Sequence, residues 1–243
     1  MTPRLFIIRH GETQWSLSGQ HTSTTDIPLT AAGEKRIQAT GRALVGPDRL
    51  IVPDRLAQVY VSPRARARRT LELLGLGVGD ALPWQTATGN EDWDESVRCA
   101  AKVTVTEDVR EWDYGQYEGL TSKVIREEKG APGWDIWRDG CPGGESPEDV
   151  MQRLDRIIAE IRDKYHAPAL ACPPEECPPA DVLIVAHGHI LRALAARWVG
   201  RNVADNPSLI LEAGGVGTLS YEHHAVDEPA ILLGGAFVVP GEM

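Results

Sequence analysis

The sequence of 243 residues lacks any run of about 18 apolar residues, the length that a membrane-spanning helix requires. It also lacks a signal-peptide pattern before the apolar segment that starts at residue 5. We therefore expect a cytoplasmic protein without a membrane partner. No internal repeat and no long linker divides the sequence, so we expect a single domain over residues 1–243.

Cysteine is scarce, with four residues in the whole chain. Cys172 and Cys177 frame the segment "CPPEEC", but this spacing is not a usual zinc pattern and no second pair follows it. The four thiols are expected to be reduced. The sequence thus predicts neither a metal nor any other cofactor.

The sequence also has no excess of positively charged residues. The chain has 25 basic and 35 acidic residues, which gives a net charge of −10. This balance argues against nucleic acid or an anionic membrane as the main partner. An anionic small molecule would have to be held by a local group of arginines, so the positions of the arginines matter.

Continuously apolar strands alternate with helices along the chain, which predicts an α/β fold with a mostly parallel sheet. The expected strands lie in "LFII", "QVYVS", "KVTVTEDV", "DVLIVA", "GVGTLSYEHH" and "PAILLGGAFV". Helices are expected after the caps Thr30 and Ser146, from Pro63 onward, and in "ILRALAARWVG". A variable excursion is expected around 75–105, and a proline-rich loop around 167–180.

Two of the buried strands end in the same way. "LFII" runs into Arg9-His10-Gly11, and "VLIVA" runs into His187-Gly188-His189. Ligands of open α/β sheets bind outside the carboxyl ends of the strands, so His10 and His187 are expected side by side at a ligand site. The glycine after each histidine would let a ligand or the backbone approach closely.

Arginines crowd the start of the helix that follows Pro63. Arg68 stands four residues before Glu72 and is expected to pair with it in solvent. Arg66 borders the apolar face, where a guanidinium needs a buried anion. Further along, the aromatic residues around Glu111 would give it a setting suited to a proton donor. A surface glutamate at a strand end is the alternative for Glu111.

Taken together, the motifs "RHGETQW", "DIPLTAAG", "SPRARARRT", "REWDYGQYEG", "GGES" and "VAHGH" occur in the order typical of one family. The chain resembles the histidine phosphatase superfamily, the phosphoglycerate-mutase-like proteins. The resemblance implies a three-layer αβα sandwich with a mostly parallel central sheet. Within the superfamily, "WSLSGQHTSTTDIPLT", "WDIWRDGCPGGES" and "SYEHHAVDEPA" resemble the fungal sedoheptulose-1,7-bisphosphatases.

The resemblance implies a role for each matching residue. His10 would be the nucleophile, with its ring held by a backbone carbonyl of the following loop, and Glu111 would be the general acid and base. Arg9, Arg66 and a positively charged His187 would hold the phosphoryl oxygens. Matching positions imply five substrate contacts, at Thr22, Ser23, Tyr114, Arg192 and His223.

The implied function is metal-independent hydrolysis of a phosphate monoester, such as sedoheptulose 1,7-bisphosphate, by a possible homodimer. Two alternatives stay open: phosphoryl transfer of the phosphoglycerate mutase type, and a non-catalytic protein that binds a phosphorylated ligand. A metal site built from His187, His189, His223 and His224 is disfavoured, because no flanking carboxylates complete a ligand set.

Overall fold

The computed structural model describes residues 1–78, 82–84, 99–128, 130–173, 176–205 and 208–233. Most of the expected excursion around 75–105 lies outside these residues, as does the end of the segment "PAILLGGAFV". Among the described residues, no helix combines the length and the apolar composition needed to cross a membrane.

One six-stranded sheet forms the centre of the described chain, in the order β3-β2-β4-β1-β5-β6. Strands β1 to β4 pair in parallel, whereas β5 and β6 add to the sheet through antiparallel pairs. This topology confirms the predicted α/β class with a mostly parallel sheet. The strands are β1 Leu5–Arg9, β2 Leu56–Val61, β3 Lys102–Val105, β4 Asp181–Ala186, β5 Val216–Tyr221 and β6 Pro229–Leu232.

Helices cover both faces of the sheet. The α-helices are α1 Gln14–Ser18, α2 Ala31–Leu44, α3 Ala65–Leu73, α4 Ser122–Glu128, α5 Ile136–Asp139, α6 Pro147–Ile161, α7 Ala167–Ala171 and α8 Gly188–Trp198, and a π-helical turn at Arg162–His166 joins α6 to α7. Phe6 and Ile8 of β1 pack with residues of α2 and α3. Leu5 and Ile7 point to the other face and pack with residues of α6 and α8. Because side chains alternate along a strand, β1 contributes to both cores of the expected three-layer sandwich.

The register of the central strands places the two histidines at one edge. The last residue of β1, Arg9, is paired with the last residue of β4, Ala186. Because the two strands are parallel, His10 and His187 follow them at the same edge of the sheet. The amide of His10 also donates a hydrogen bond of 2.9 Å to the carbonyl of Ala186.

The predicted caps are confirmed at two helices. The Oγ atom of Thr30 accepts the amide of Gly33 at 2.9 Å at the start of α2. The Oγ atom of Ser146 accepts the amide of Asp149 at 3.2 Å at the start of α6. These bonds satisfy amides that have no partner within the helix.

Three local expectations are wrong. Helix α3 begins at Ala65 rather than at Pro63, and its first amide donates to the carboxylate of Asp26 at 2.9 Å. The first five residues of the proline-rich segment 167–180 form α7, since proline is tolerated in a first helical turn. The partner of Glu72 is Arg69, at 3.0 Å, because Arg68 lies over the ring of Trp84 instead.

Candidate active site

His10 has one ring nitrogen free at the edge of the sheet. Its Nδ1 atom lies 2.7 Å from the carbonyl oxygen of Gly11, so Nδ1–H donates to that oxygen and Nε2 carries the lone pair. Burial, together with the positive charge of Arg66, lowers the pKa of His10 to about 3. A neutral ring with an unprotonated Nε2 is chemically able to act as a nucleophile, and the expected backbone carbonyl is that of Gly11.

Arg66 and His187 form a buried pair beside His10. The fully buried guanidinium of Arg66 donates from Nε to Nδ1 of His187 at 3.1 Å. Since Nδ1 accepts this bond, the ring proton of His187 is on Nε2, which donates to Oγ of Ser62 at 2.7 Å. The rings of His10 and His187 are 5.1 Å apart between centroids. The structure thus brings these predicted residues together.

The surroundings of His187 favour its neutral form. Burial, followed by the positive charge of Arg66, holds the pKa of His187 well below its usual range. A guanidinium in direct contact with the ring makes a second positive charge there unfavourable. The positively charged His187 that the resemblance implies belongs to a site that holds a phosphoryl group, and it stays a prediction.

Backbone carbonyls and one carboxylate surround the outer end of Arg66. Its Nη2 atom donates to the carbonyl of Thr22 at 2.9 Å, and Nη1 donates to the carbonyl of Thr25 at 3.1 Å. The carboxylate of Asp26 lies 3.9 Å from Nη1. These contacts hold a guanidinium that has no exposure to solvent.

Glu111 is a buried residue of this edge and not a surface glutamate, with an exposed fraction of 5 %. Its Oε1 atom accepts the amides of Trp112 and Ile190, both at 2.9 Å, and Oε2 accepts the amide of His189 at 3.2 Å. Two of these amides belong to the first turn of α8, where unpaired N–H groups and the helix dipole favour an anion. The carboxylate thus has three backbone donors in addition to the buried aromatic side chains of Trp112 and Tyr114, which follow it in the chain.

A cavity of about 300 Å³ opens at this edge of the sheet. Six of the predicted site residues line it: Arg9, His10, Thr22, Glu111, Tyr114 and Arg192. In the described part of the chain, the buried Nε atoms of Arg9 and Arg192 have no hydrogen-bond partner. Both residues line the cavity, and a guanidinium has five N–H donors, so each side chain has further N–H groups with which to bind a ligand there. Arg66 and His187 lie behind the cavity wall.

Two predicted substrate contacts are not part of the cavity wall. The hydroxyl of Ser23 is buried and donates to Oε2 of Glu118 at 2.7 Å. His223 lies in the turn after β5, with 79 % of its side chain exposed, and contacts Glu228. Because β5 is antiparallel to β1, it carries His223 to the opposite edge of the sheet. The predicted roles of Ser23 and His223 as substrate contacts are therefore not supported.

Sequence reasoning did not assign His21 and His189 to the site, although both line the cavity. Nδ1 of His189 is hydrogen-bonded to the hydroxyl of Tyr114 at 2.8 Å, and the rings of His21 and Tyr114 are 4.6 Å apart between centroids. The repeat of histidine in "HGH" is the sequence signal for His189. Contrary to the expectation that no carboxylates flank these histidines, Glu222 and Glu228 lie beside His223 and form with it an exposed group of possible metal ligands. Among the described residues, this group does not include His187, His189 or His224.

The glycines after the two histidines have different roles. A Cβ atom on Gly188 would lie 3.2 Å from Cζ of Arg9, so this glycine leaves room for a guanidinium that lines the cavity. A Cβ atom on Gly11 would lie 2.9 Å from Cγ1 of Ile37, so that glycine leaves room for helix α2. At Gly188, the predicted close approach is therefore that of a side chain of the site, Arg9. At Gly11, it is that of a core side chain, Ile37.

Comparison with known proteins assigns the chain to a family. Residues 5–228 match the family model of the histidine phosphatase superfamily (branch 1). Sedoheptulose 1,7-bisphosphatase of Saccharomyces cerevisiae is 36 % identical to the chain, with 100 % of the chain and 96 % of that protein covered. An acid phosphatase of Mycobacterium tuberculosis is 34 % identical, with 90 % and 87 % covered. A solved structure from Mycobacterium tuberculosis superposes with a TM-score of 0.68 at 30 % identity, with 97 % and 98 % covered.

Proposed function

The chain belongs to the histidine phosphatase superfamily, and we propose that it hydrolyses a phosphate monoester through a phosphohistidine on His10. Membership and the phosphatase relatives identify it as a phosphoric monoester hydrolase. The observation that carries the mechanism is the hydrogen bond from Nδ1 of His10 to Gly11, which leaves a neutral Nε2 for attack. A neutral imidazole is the form that can attack phosphorus.

The proposed reaction has two displacements. In the first, the lone pair of Nε2 attacks phosphorus, the bond from phosphorus to the ester oxygen breaks, and protonated Glu111 gives its proton to the leaving oxygen. In the second, water attacks phosphorus, the bond from phosphorus to Nε2 breaks, and the Glu111 carboxylate takes a proton from the water. General acid and base catalysis of this kind contributes about 10²- to 10⁴-fold.

Positive charge at the site would offset the charge of the phosphoryl group. We assign phosphoryl binding to Arg9, Arg66 and His187, because planar guanidiniums match the geometry of phosphoryl oxygens. The place of Arg9 in the cavity wall, next to His10 in the chain, supports this assignment. A phosphoryl dianion would also favour the protonated form of His187, and that form requires Nδ1 to exchange the hydrogen bond from Arg66 for a proton.

The proposed substrate is a sugar bisphosphate, such as sedoheptulose 1,7-bisphosphate. The 36 % identity to the yeast sedoheptulose 1,7-bisphosphatase over nearly the full length of both chains supports this choice. A second guanidinium in the cavity, that of Arg192, supplies a donor for a second phosphate. Thr22 and Tyr114 stay proposed as contacts to the sugar. A cavity of about 300 Å³ is at the lower end of the size range of small-molecule sites.

The test is an assay of phosphate release from a panel of sugar bisphosphates, sugar monophosphates and p-nitrophenyl phosphate, with and without a chelator. Activity that survives the chelator and is lost in His10→Ala is the expected result. Glu111→Gln should lose about 10²-fold or more on sugar phosphates but much less on p-nitrophenyl phosphate, whose leaving group needs no proton. A requirement for added metal would refute the mechanism, and transfer of the phosphoryl group to a second sugar instead of water would identify a mutase.

A further inference from the structure

A short ribbon brings the segment after α1 against residues 118–121. Gln20 and Thr121 form an antiparallel bridge, and the amide of His21 donates to the carbonyl of Leu120 at 2.9 Å. The amide of Gly119 in turn donates to the carbonyl of His21 at 2.8 Å. This ribbon places the side chain of Glu118 directly against residues 22–25, which we call the carbonyl loop.

The carboxylate of Glu118 binds the inner side of the carbonyl loop. Its Oε1 atom accepts the amides of Ser23 and Thr25, both at 3.0 Å, and its Oε2 atom accepts the hydroxyl of Ser23 at 2.7 Å. Burial alone would raise the pKa of Glu118, but the hydrogen bonds from Ser23 and Thr25 lower it overall. The group is therefore an anion that fixes two backbone amides of the carbonyl loop, those of Ser23 and Thr25.

The opposite side of the same loop faces Arg66. With their amides turned toward Glu118, Ser23 and Thr25 present their carbonyls to the guanidinium, at 3.4 and 3.1 Å. The carbonyl of Thr22 adds a third acceptor at 2.9 Å. The loop thus separates a buried cation from a carboxylate, and its peptide groups connect the two.

Arg66 connects the carbonyl loop to the two histidines. The donor Nε of Arg66 fixes Nδ1 of His187 as an acceptor, and His187 lies edge-on to the ring of His10. A change in the carbonyl loop would therefore alter the aim of Arg66 and the tautomer of His187 without touching either side chain.

We propose that Glu118 is a positioning residue, which holds the carbonyl loop in the form that orients Arg66 and His187 beside His10. The proposal rests on the phosphoryl-binding role that we assign to these two residues above. Glu118 itself lies behind the loop and is not among the residues that line the cavity. Its effect on the reaction is thus exerted through Arg66.

The test compares Glu118→Ala, Glu118→Gln and a matched control, Asp149→Ala. Asp149 is also a carboxylate that caps local backbone, through the amide and hydroxyl of Ser146, but it belongs to the exposed start of α6. Three readouts are used for each protein: the melting temperature, the affinity for orthovanadate by calorimetry, and the ¹⁵N shifts of the His187 ring. Turnover of p-nitrophenyl phosphate is measured beside them.

Glu118→Ala is expected to lose about 10²-fold in kcat/KM and at least tenfold in vanadate affinity, as expected when binding groups are misplaced by about 1 Å. The His187 ring should lose its single Nε2–H tautomer. Glu118→Gln should recover part of both losses, because its amide oxygen still accepts the two loop amides. Asp149→Ala should lower the melting temperature by a similar amount without changing vanadate binding or the His187 shifts.

A folded Glu118→Ala protein with unchanged vanadate affinity and unchanged His187 shifts would overturn the proposal. Equal losses in Glu118→Ala and Asp149→Ala would overturn it too, because they would reflect stability alone. If the unmodified enzyme releases no phosphate from any ester, the proposed function fails, but the vanadate and ¹⁵N readouts still decide the role of Glu118. The two failures are therefore distinguishable.

Discussion

The substitution Gly188→Ala separates the stability of the fold from the geometry of the phosphoryl site. A Cβ atom at this position would lie 3.2 Å from both Cζ and Nε of Arg9 and 3.5 Å from Nη2. The first two distances are shorter than an ordinary van der Waals contact, so the guanidinium must shift by a few tenths of an ångström. Among the residues that the structure describes, the side chain of Arg9 makes one hydrogen bond, from Nη1 to the carbonyl of Leu211 at 2.9 Å.

Two effects of opposite sign are expected. Gly188 is the first residue of α8, where alanine fits without strain, so the change should stabilise the protein by about 0.4–1 kcal/mol through the unfolded state. A hydrogen bond from Arg9 to a phosphoryl oxygen is worth about 1.5–3 kcal/mol. At about 1.4 kcal/mol for each factor of ten, weakening it should lower kcat/KM by about 10- to 100-fold.

The measurement is kcat/KM for p-nitrophenyl phosphate together with the free energy of unfolding in urea. Gly133→Ala is the matched control, because a Cβ atom there meets nothing within 4 Å. Full activity in Gly188→Ala would refute the argument that Gly188 makes room for Arg9. A loss of activity accompanied by a loss of stability would also contradict it, since the strain would then be in the helix.

Three further outcomes follow from the buried histidines and the exposed turn. Because the pKa of His10 is lowered to about 3, its protonation should reduce kcat/KM of the free enzyme only as the pH falls toward 3, so a pH–rate profile should show no His10 step at 6.5. His166 is buried, and desolvation is the main reason why its pKa is lowered to about 3. Its neutral form therefore stabilises the fold above pH 6.5, and this contribution is lost as the pH falls from 6.5 toward 3. The free energy of unfolding, measured in urea between pH 4 and 6, should therefore change less with pH in His166→Gln than in the unmodified protein. The difference in slope should be up to about 1.4 kcal/mol per pH unit. His223→Ala should keep the kcat and KM of the unmodified enzyme, and a raised KM would show that the exposed turn takes part in substrate binding.

The residues at this edge of the sheet could be predicted, because buried parallel strands have a simple sequence pattern. Continuous apolar runs in β1 and β4 identify strands covered on both faces, and parallel strands end at a common edge. The positions of His10 and His187 follow from this pattern alone. The direction in which Arg66 points followed from helical periodicity, since its neighbours on the wheel are apolar.

Other parts of the site depend on contacts that no local pattern contains. The burial of Glu111 comes from amides of α8, about 80 positions later in the chain. Ser23 looked like a ligand contact, but Glu118 takes its hydroxyl. The place of His223 depends on the direction of β5, which sequence composition does not reveal because either direction buries the same residues.

The order of strands in the sheet has a consequence for biosynthesis. The central strand β1, Leu5–Arg9, is made long before both of its neighbours, β4 at Asp181–Ala186 and β5 at Val216–Tyr221. At synthesis rates of about 5–20 residues per second, an apolar segment with two unpaired edges waits on the order of ten seconds or more for its partners. Until β4 emerges, "LFII" is a template for wrong pairing, so we expect the nascent chain to depend on chaperones until β4 and β5 have been made.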